Sequence, residues 1–149
     1  MLRHWLVALM IATAATPGVA AVGSITESTG PAKVERGPTS VKGDRGVGIE
    51  MQDAVETTLG KVSITFRDDT KVEVNDHSRL EIDEFVFDPS KPDTSRLAVN
   101  FAKGTVRYAS GAIAHNDPSK VAVQTPTATV AVRGTDFTAT VDESGASTI

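Results

Sequence analysis

Thr125-Pro-Thr-Ala-Thr-Val-Ala-Val-Arg-Gly-Thr-Asp-Phe137, running on as Thr138-Ala-Thr-Val141, is the stretch whose reading decides the fold. Ala128, Val130 and Val132 share one parity, Phe137, Ala139 and Val141 another, and Thr127, Thr129, Thr138 and Thr140 fill the opposite faces. Strict alternation with β-branched polar residues is the pattern of half-buried strands. Pro126 suits a first strand residue, since it has no N–H for a ladder. Gly134 interrupts the two apolar runs as a turn, bulge or corner would. The expectation is a strand–corner–strand unit with one buried face.

Working outward, Val62, Ile64 and Phe66 alternate, Arg67-Asp-Asp-Thr70 carries turn chemistry, and Val72 and Val74 alternate again. Leu80 and Ile82, then Phe85 and Phe87, precede a proline-bearing loop over residues 88–95 that reads as an exposed excursion. Leu97, Val99 and Phe101 form a strand, Lys103-Gly104 reads as a turn, and Val106 and Tyr108 form the next inward pair. Val121–Gln124 leads back to the deciding stretch. Nearer the start, Val22–Gly30 and Ala32–Arg36 read as two strands. Residues 39–48 read as turns, and residues 53–58 as a bridge. About ten short strands with no amphipathic helix imply an all-β domain, either a sandwich or a solenoid-like β-roll.

The first residues belong to something else. Arg3 and His4 precede the apolar run Trp5–Ala15, and Pro17, Gly18 and the small residues to Ala21 follow. This is the layout of a signal-peptide helix over residues 1–21, and the run falls short of the ~20 residues that cross a bilayer. The expected domain is therefore 22–149, exported to the periplasm or secreted, with no membrane span after cleavage. Its last residues, Gly145–Ile149, stop where a further strand could begin, which leaves a truncated C-terminus open.

Composition removes several function classes. Lys and Arg total 15 against 19 Asp and Glu, for a formal net charge of −4, and loss of Arg3 leaves the exported domain more negative still. Nucleic-acid binding needs clustered cations, which this balance does not supply. With no cysteine there is no thiolate chemistry and no disulfide framework. His4, His77 and His115 stand at no metal-ligand spacing, and no calcium loop or phosphate cradle occurs. The pairs Asp68-Asp69 and Asp83-Glu84 read as turn and solvent-face residues, not as a catalytic dyad. No enzyme, cofactor or metal is expected. The one candidate binding pair is Arg133 and Thr135, flanking Gly134; the favoured reading is a structural corner in which Arg133 pairs with a carboxylate.

The run Thr125-Pro-x-Ala-Thr-Val-Ala-Val-Arg-Gly-Thr-x-Phe137 resembles the Thr-Pro…Arg-Gly-Thr-x-Phe signature of the FecR domain family. Val62-x-Ile-x-Phe-x-Asp-x-Thr-x-Val-x-Val74 and Leu97-x-Val…Gly104-x-Val-Arg107 are similar to its core, with Asp69 where glycine is usual. The resemblance covers roughly residues 24–145. It implies a roll of short strands in a non-catalytic binding or signalling module of the bacterial envelope, its partner an envelope protein or a glycan. A structural or polysaccharide-associated envelope role is the alternative. No anti-sigma helix bundle is recognisable, so iron regulation does not follow from the domain. Oligomeric state is not legible.

Overall fold

The alternation of Leu97, Val99 and Phe101 does not end at Lys103-Gly104. A computed structural model of the chain describes residues 20–133 and 136–149. In it Arg96–Ala109 is one strand of 14 residues. Gly104, at φ +86°, bends the strand instead of reversing it. The register explains how one strand serves two surfaces. Arg79 stands opposite Lys103 and Leu80 opposite Phe101, which leaves Ala102 as an extra residue. That bulge shifts the inward parity from 97, 99 and 101 to 106 and 108, so both halves keep their apolar residues on the core side.

In chain order the strands are β1 (Gly23–Ser28), β2 (Ala32–Arg36), β3 (Thr39–Lys42), β4 (Gly48–Ile49), β5 (Ala54–Thr57), β6 (Val62–Phe66), β7 (Lys71–Val74), β8 (Arg79–Val86), β9 (Arg96–Ala109), β10 (Val121–Gln124), β11 (Thr129–Ala131), β12 (Asp136–Val141) and β13 (Ser147–Thr148). All thirteen form one continuous curled sheet. The C-terminal half of β9 lies between β7 and β12, in a wing ordered β4-β1-β6-β7-β9-β12-β13. Its N-terminal half lies between β8 and a parallel neighbour, β10, in a wing ordered β3-β2-β5-β8-β9-β10-β11. The wings share a single apolar core. Phe66 of one wing stacks on Phe85 of the other at 5.5 Å between ring centroids.

The all-β expectation holds, and several local readings change. Residues 39–48 contain β3 and the first residue of β4; Gly37 at φ +55° and Pro38 close a two-residue hairpin that carries the chain straight back along β2 as β3. Residues 54–57 are a paired strand, not a bridge. Arg79–Val86 is one strand with a bulge at Asp83, which puts both Ile82 and Phe85 in the core. Thr125-Pro126 is not a strand start. The Thr125 N–H donates to Ala128 O at 2.8 Å and its hydroxyl accepts from Ala128 N at 3.1 Å, so these residues form the turn of a β10–β11 hairpin. The deciding stretch accordingly supplies β11 to one wing and β12 to the other, and the two do not pair. Ala128 is exposed, Val130 half-buried and Val132 buried.

One short helix departs from the expectation: α1 (Ala112–Asn116), a single turn burying Ile113 and Ala114. Its first amides are met from outside the helix, Ala112 N by Asp68 O at 2.7 Å and Ile113 N by Asp68 Oδ2 at 3.1 Å. Asp68 is thus buried, not a solvent-face residue, while Asp69 takes the positive φ (+65°) that glycine would otherwise supply. The expected signal-peptide helix falls on residues outside the described ones.

At the bend, a Cβ on Gly104 would stand 2.1 Å from Ser78 Oγ and 2.6 Å from Ser78 Cα. Gly104→Ala is therefore expected to destabilise the fold by about 2 kcal/mol or more, through both the positive φ and this clash. Equilibrium urea unfolding checks it, and a parent-like midpoint would mean that the bend tolerates a side chain.

Candidate functional site

The outer face of the β1-β6-β7-β9 wing carries the polar residues of four alternating strands. In register, Ser63 stands opposite Glu73 and Glu73 opposite Arg107; Thr65 stands opposite Lys71. A bulge between Ile25 and Glu27 lifts Thr26 beside them, 3.3 Å from the Thr65 hydroxyl. Together they line an open groove of about 500 Å³. Glu73 is already engaged by Lys61 at 3.1 Å. Lys71 and Arg107 are exposed and make no ion pair with any described residue. A floor of hydroxyls with two uncommitted cations can accept carboxylates through charge-assisted hydrogen bonds. Two carboxylates, Glu27 and Glu73, line the same groove.

On the opposite wing the β2-β5-β8 face pairs its charges internally. Arg79 donates to Glu35 at 2.8 Å, Glu56 at 2.9 Å and Glu81 at 3.1 Å, spanning β2, β5 and its own strand. Partial burial alone would lower the guanidinium's pKa, but the three carboxylates raise it above its ordinary value. Glu35 is held down to about 2, first by its hydrogen bond from Lys33 and then by Arg79. At the end of the same wing Arg36 grips Asp53 through Nε at 2.9 Å and Nη2 at 2.7 Å, and also reaches Gly48 O at 3.0 Å. The Asp53 side chain is fully buried and its Oδ2 also accepts from Glu50 N. The pairing fixes the chain's entry into β5. None of these residues stands out in the sequence, since the pairing crosses elements that local pattern cannot join.

The sequence-derived site fares differently. Arg133 is exposed, and among the described residues no carboxylate pairs with it. Gly134 and Thr135 lie outside the described residues. Of the histidines, His77 and His115 are both exposed, and His4 is outside the described residues. Among the described residues no group of three or more His, Cys, Asp or Glu side chains could hold a metal ion. Nor is any described helix long and apolar enough to cross a membrane.

The structure is a curled all-β sheet with polar outer faces, one of which carries the hydroxyl-floored groove. The chain belongs to the FecR family: the family model described as FecR protein matches residues 53–149. This is an envelope-associated family of signalling regulators, generally not enzymes. No curated protein and no solved structure matches the chain. The matched span begins at Asp53, the buried partner of Arg36. Residues 22–52 nevertheless pack in the same core, through Ile25, Val34 and Ile49.

The Glu35 shift sets a pH dependence. A carboxylate whose folded pKa lies below its ordinary 4.5 adds stability above that value and loses it as pH falls toward about 2. The melting temperature should therefore decline as pH falls through this window, and Glu35→Gln should flatten that stretch of the profile. A profile unchanged by the substitution would show that the Lys33–Glu35–Arg79 contacts contribute nothing in water.

Proposed function

We propose that the chain is an exported, non-catalytic binding or signalling module of the bacterial envelope. Its groove on the β1-β6-β7-β9 wing engages carboxylates on a partner protein. The observation that carries this reading is the pair of exposed cations, Lys71 and Arg107, which make no ion pair with any described residue and stand beside the hydroxyls of Thr26, Ser63 and Thr65. Arg133, exposed after β11, is a second proposed contact, with Thr135 close to it in the chain.

A protein partner is preferred over a glycan on the character of the surface. Sugar rings are commonly held by stacking on exposed aromatic faces. Among the described residues Phe66, Phe85, Phe101 and Tyr108 are buried, and Phe87 and Phe137 pack against the core. Phe87 and Phe137 are only partly exposed, and none of these aromatics is fully open to solvent. Export rests on the basic, apolar and small-residue succession over Met1–Ala21.

Two measurements address these points. The double variant Lys71→Glu with Arg107→Glu should keep the parent melting temperature and lose about tenfold or more in partner capture from envelope extract, with a weaker salt dependence. Unchanged capture would remove the groove from the reading. Intact mass of the protein from an envelope fraction should place its amino terminus near Ala21 or Val22, and a mass that retains Met1 would refute cleavage.

A further inference from the structure

The curled sheet ends in four strands, and they are not equivalent. β4 and β13 offer two residues each, and β11 three. β3 offers four, and all of them are exposed. Natural edges of that length are normally covered or blunted, because their free N–H and C=O groups template further pairing.

The β2–β3 register fixes which groups are free. Arg36 and Thr39 close a two-residue turn, so Arg36–Thr39 and Val34–Val41 exchange hydrogen bonds with each other. The next pair in that series is Ala32–Gly43, and Gly43 N donates to Ala32 O at 2.9 Å. The backbone groups of Ser40 and Lys42 consequently point away from the sheet.

The side chains flanking this edge describe what it fits. On the inner face the apolar row Phe101, Leu80, Val55, Val34 runs on to Val41, which is 43% exposed where its neighbours are fully buried. The core row continues past the core and stops in solvent. On the outer face Lys42 is exposed and has no ion pair with any described residue, whereas the adjacent Lys33 is satisfied by Glu35 at 2.8 Å. Arg36 is committed to Asp53 and Glu50, whereas Lys42 and Arg45 are exposed cations with no ion pair to any described residue, in a chain of formal net charge −4.

We propose that β3 is a docking edge that accepts an extended, acidic segment of a partner protein as an added strand. The segment pairs its backbone with Ser40 and Lys42. It lays an apolar side chain beside Val41 on the inner face and a carboxylate beside Lys42 on the outer face. This surface is separate from the groove above and lies outside residues 53–149, the span shared with the family. Main-chain bonds supply the affinity, and the alternation of side chains supplies the selectivity.

The test uses the domain and two capped heptapeptides, one alternating valine with glutamate and one alternating valine with lysine. Amide hydrogen exchange should show added protection at Ser40 and Lys42 with the glutamate peptide, and at least about fivefold weaker binding of the lysine peptide. Lys42→Glu, an exposed change that leaves the core untouched, should invert that preference. Ser40→Pro, which deletes only an outward N–H, should abolish protection without lowering the melting temperature. The proposal is overturned if neither peptide protects the edge, or if both bind equally to the parent and to Lys42→Glu. Protection that rises with domain concentration alone would also overturn it, since the occupant would then be a second copy.

Discussion

Everything in this fold hangs on β9 passing from one wing to the other without leaving the ladder. A strand that bends sharply must give up either its hydrogen bonds or its register. Here it gives up one residue of register and keeps the ladder on either side. Gly104 takes the positive φ, Ala102 is the extra residue, and the buried Ser78 hydroxyl accepts from Thr105 N at 2.9 Å across the bend. Ser78 N in turn donates to the Thr57 hydroxyl at 3.1 Å, and that hydroxyl donates to Asn75 O. A small satisfied polar cluster thereby holds the point where both wings meet, in surroundings where an unpaired group would be costly.

Charge is used in two contrasting ways on the two wings. On the β2-β5-β8 face, Arg79 joins carboxylates from three strands, and Arg36 neutralises a fully buried Asp53. These groups are committed to architecture: removing Arg36 would strand a buried carboxylate, the costly way to break such a pair. On the β1-β6-β7-β9 face, by contrast, Lys71 and Arg107 stand uncommitted above a hydroxyl floor. That difference separates the charge-paired β2-β5-β8 face from the groove of the other wing, although both read as ordinary polar alternation in the sequence.

The strands with clean period-2 alternation were legible: Val62–Phe66, Lys71–Val74 and both halves of β9 carry their core residues at the expected parity. The family signature was legible for the same reason, as it sits on β6, β7, β9, β11 and β12. What failed to show had a common cause. β3 and β5 are short and set among glycines and charges, so their strand character comes from β2 lying between them and not from their own residues. Gly104 and Pro126 each suggest a break, but one bends a strand and the other makes a hairpin turn. The Arg36–Asp53 and Asp68–Ile113 bonds join residues 17 and 45 positions apart, which no local window connects. Arg133 stood out in the sequence as either an exposed contact or a structural corner.

The central place of β9 also dictates how the chain must be assembled if it is delivered amino terminus first. β7 and β8 each find their second neighbour only in β9, yet both are complete by Val86, ten residues before β9 begins at Arg96. Until that segment arrives, the β6–β7 hairpin and the β5–β8 pair present raw, apolar-backed edges to whatever surrounds them. Such edges invite misassociation while they wait. The interval before residues 96–109 emerge is therefore the stage at which a holding factor, or rapid passage, matters most for this protein's yield.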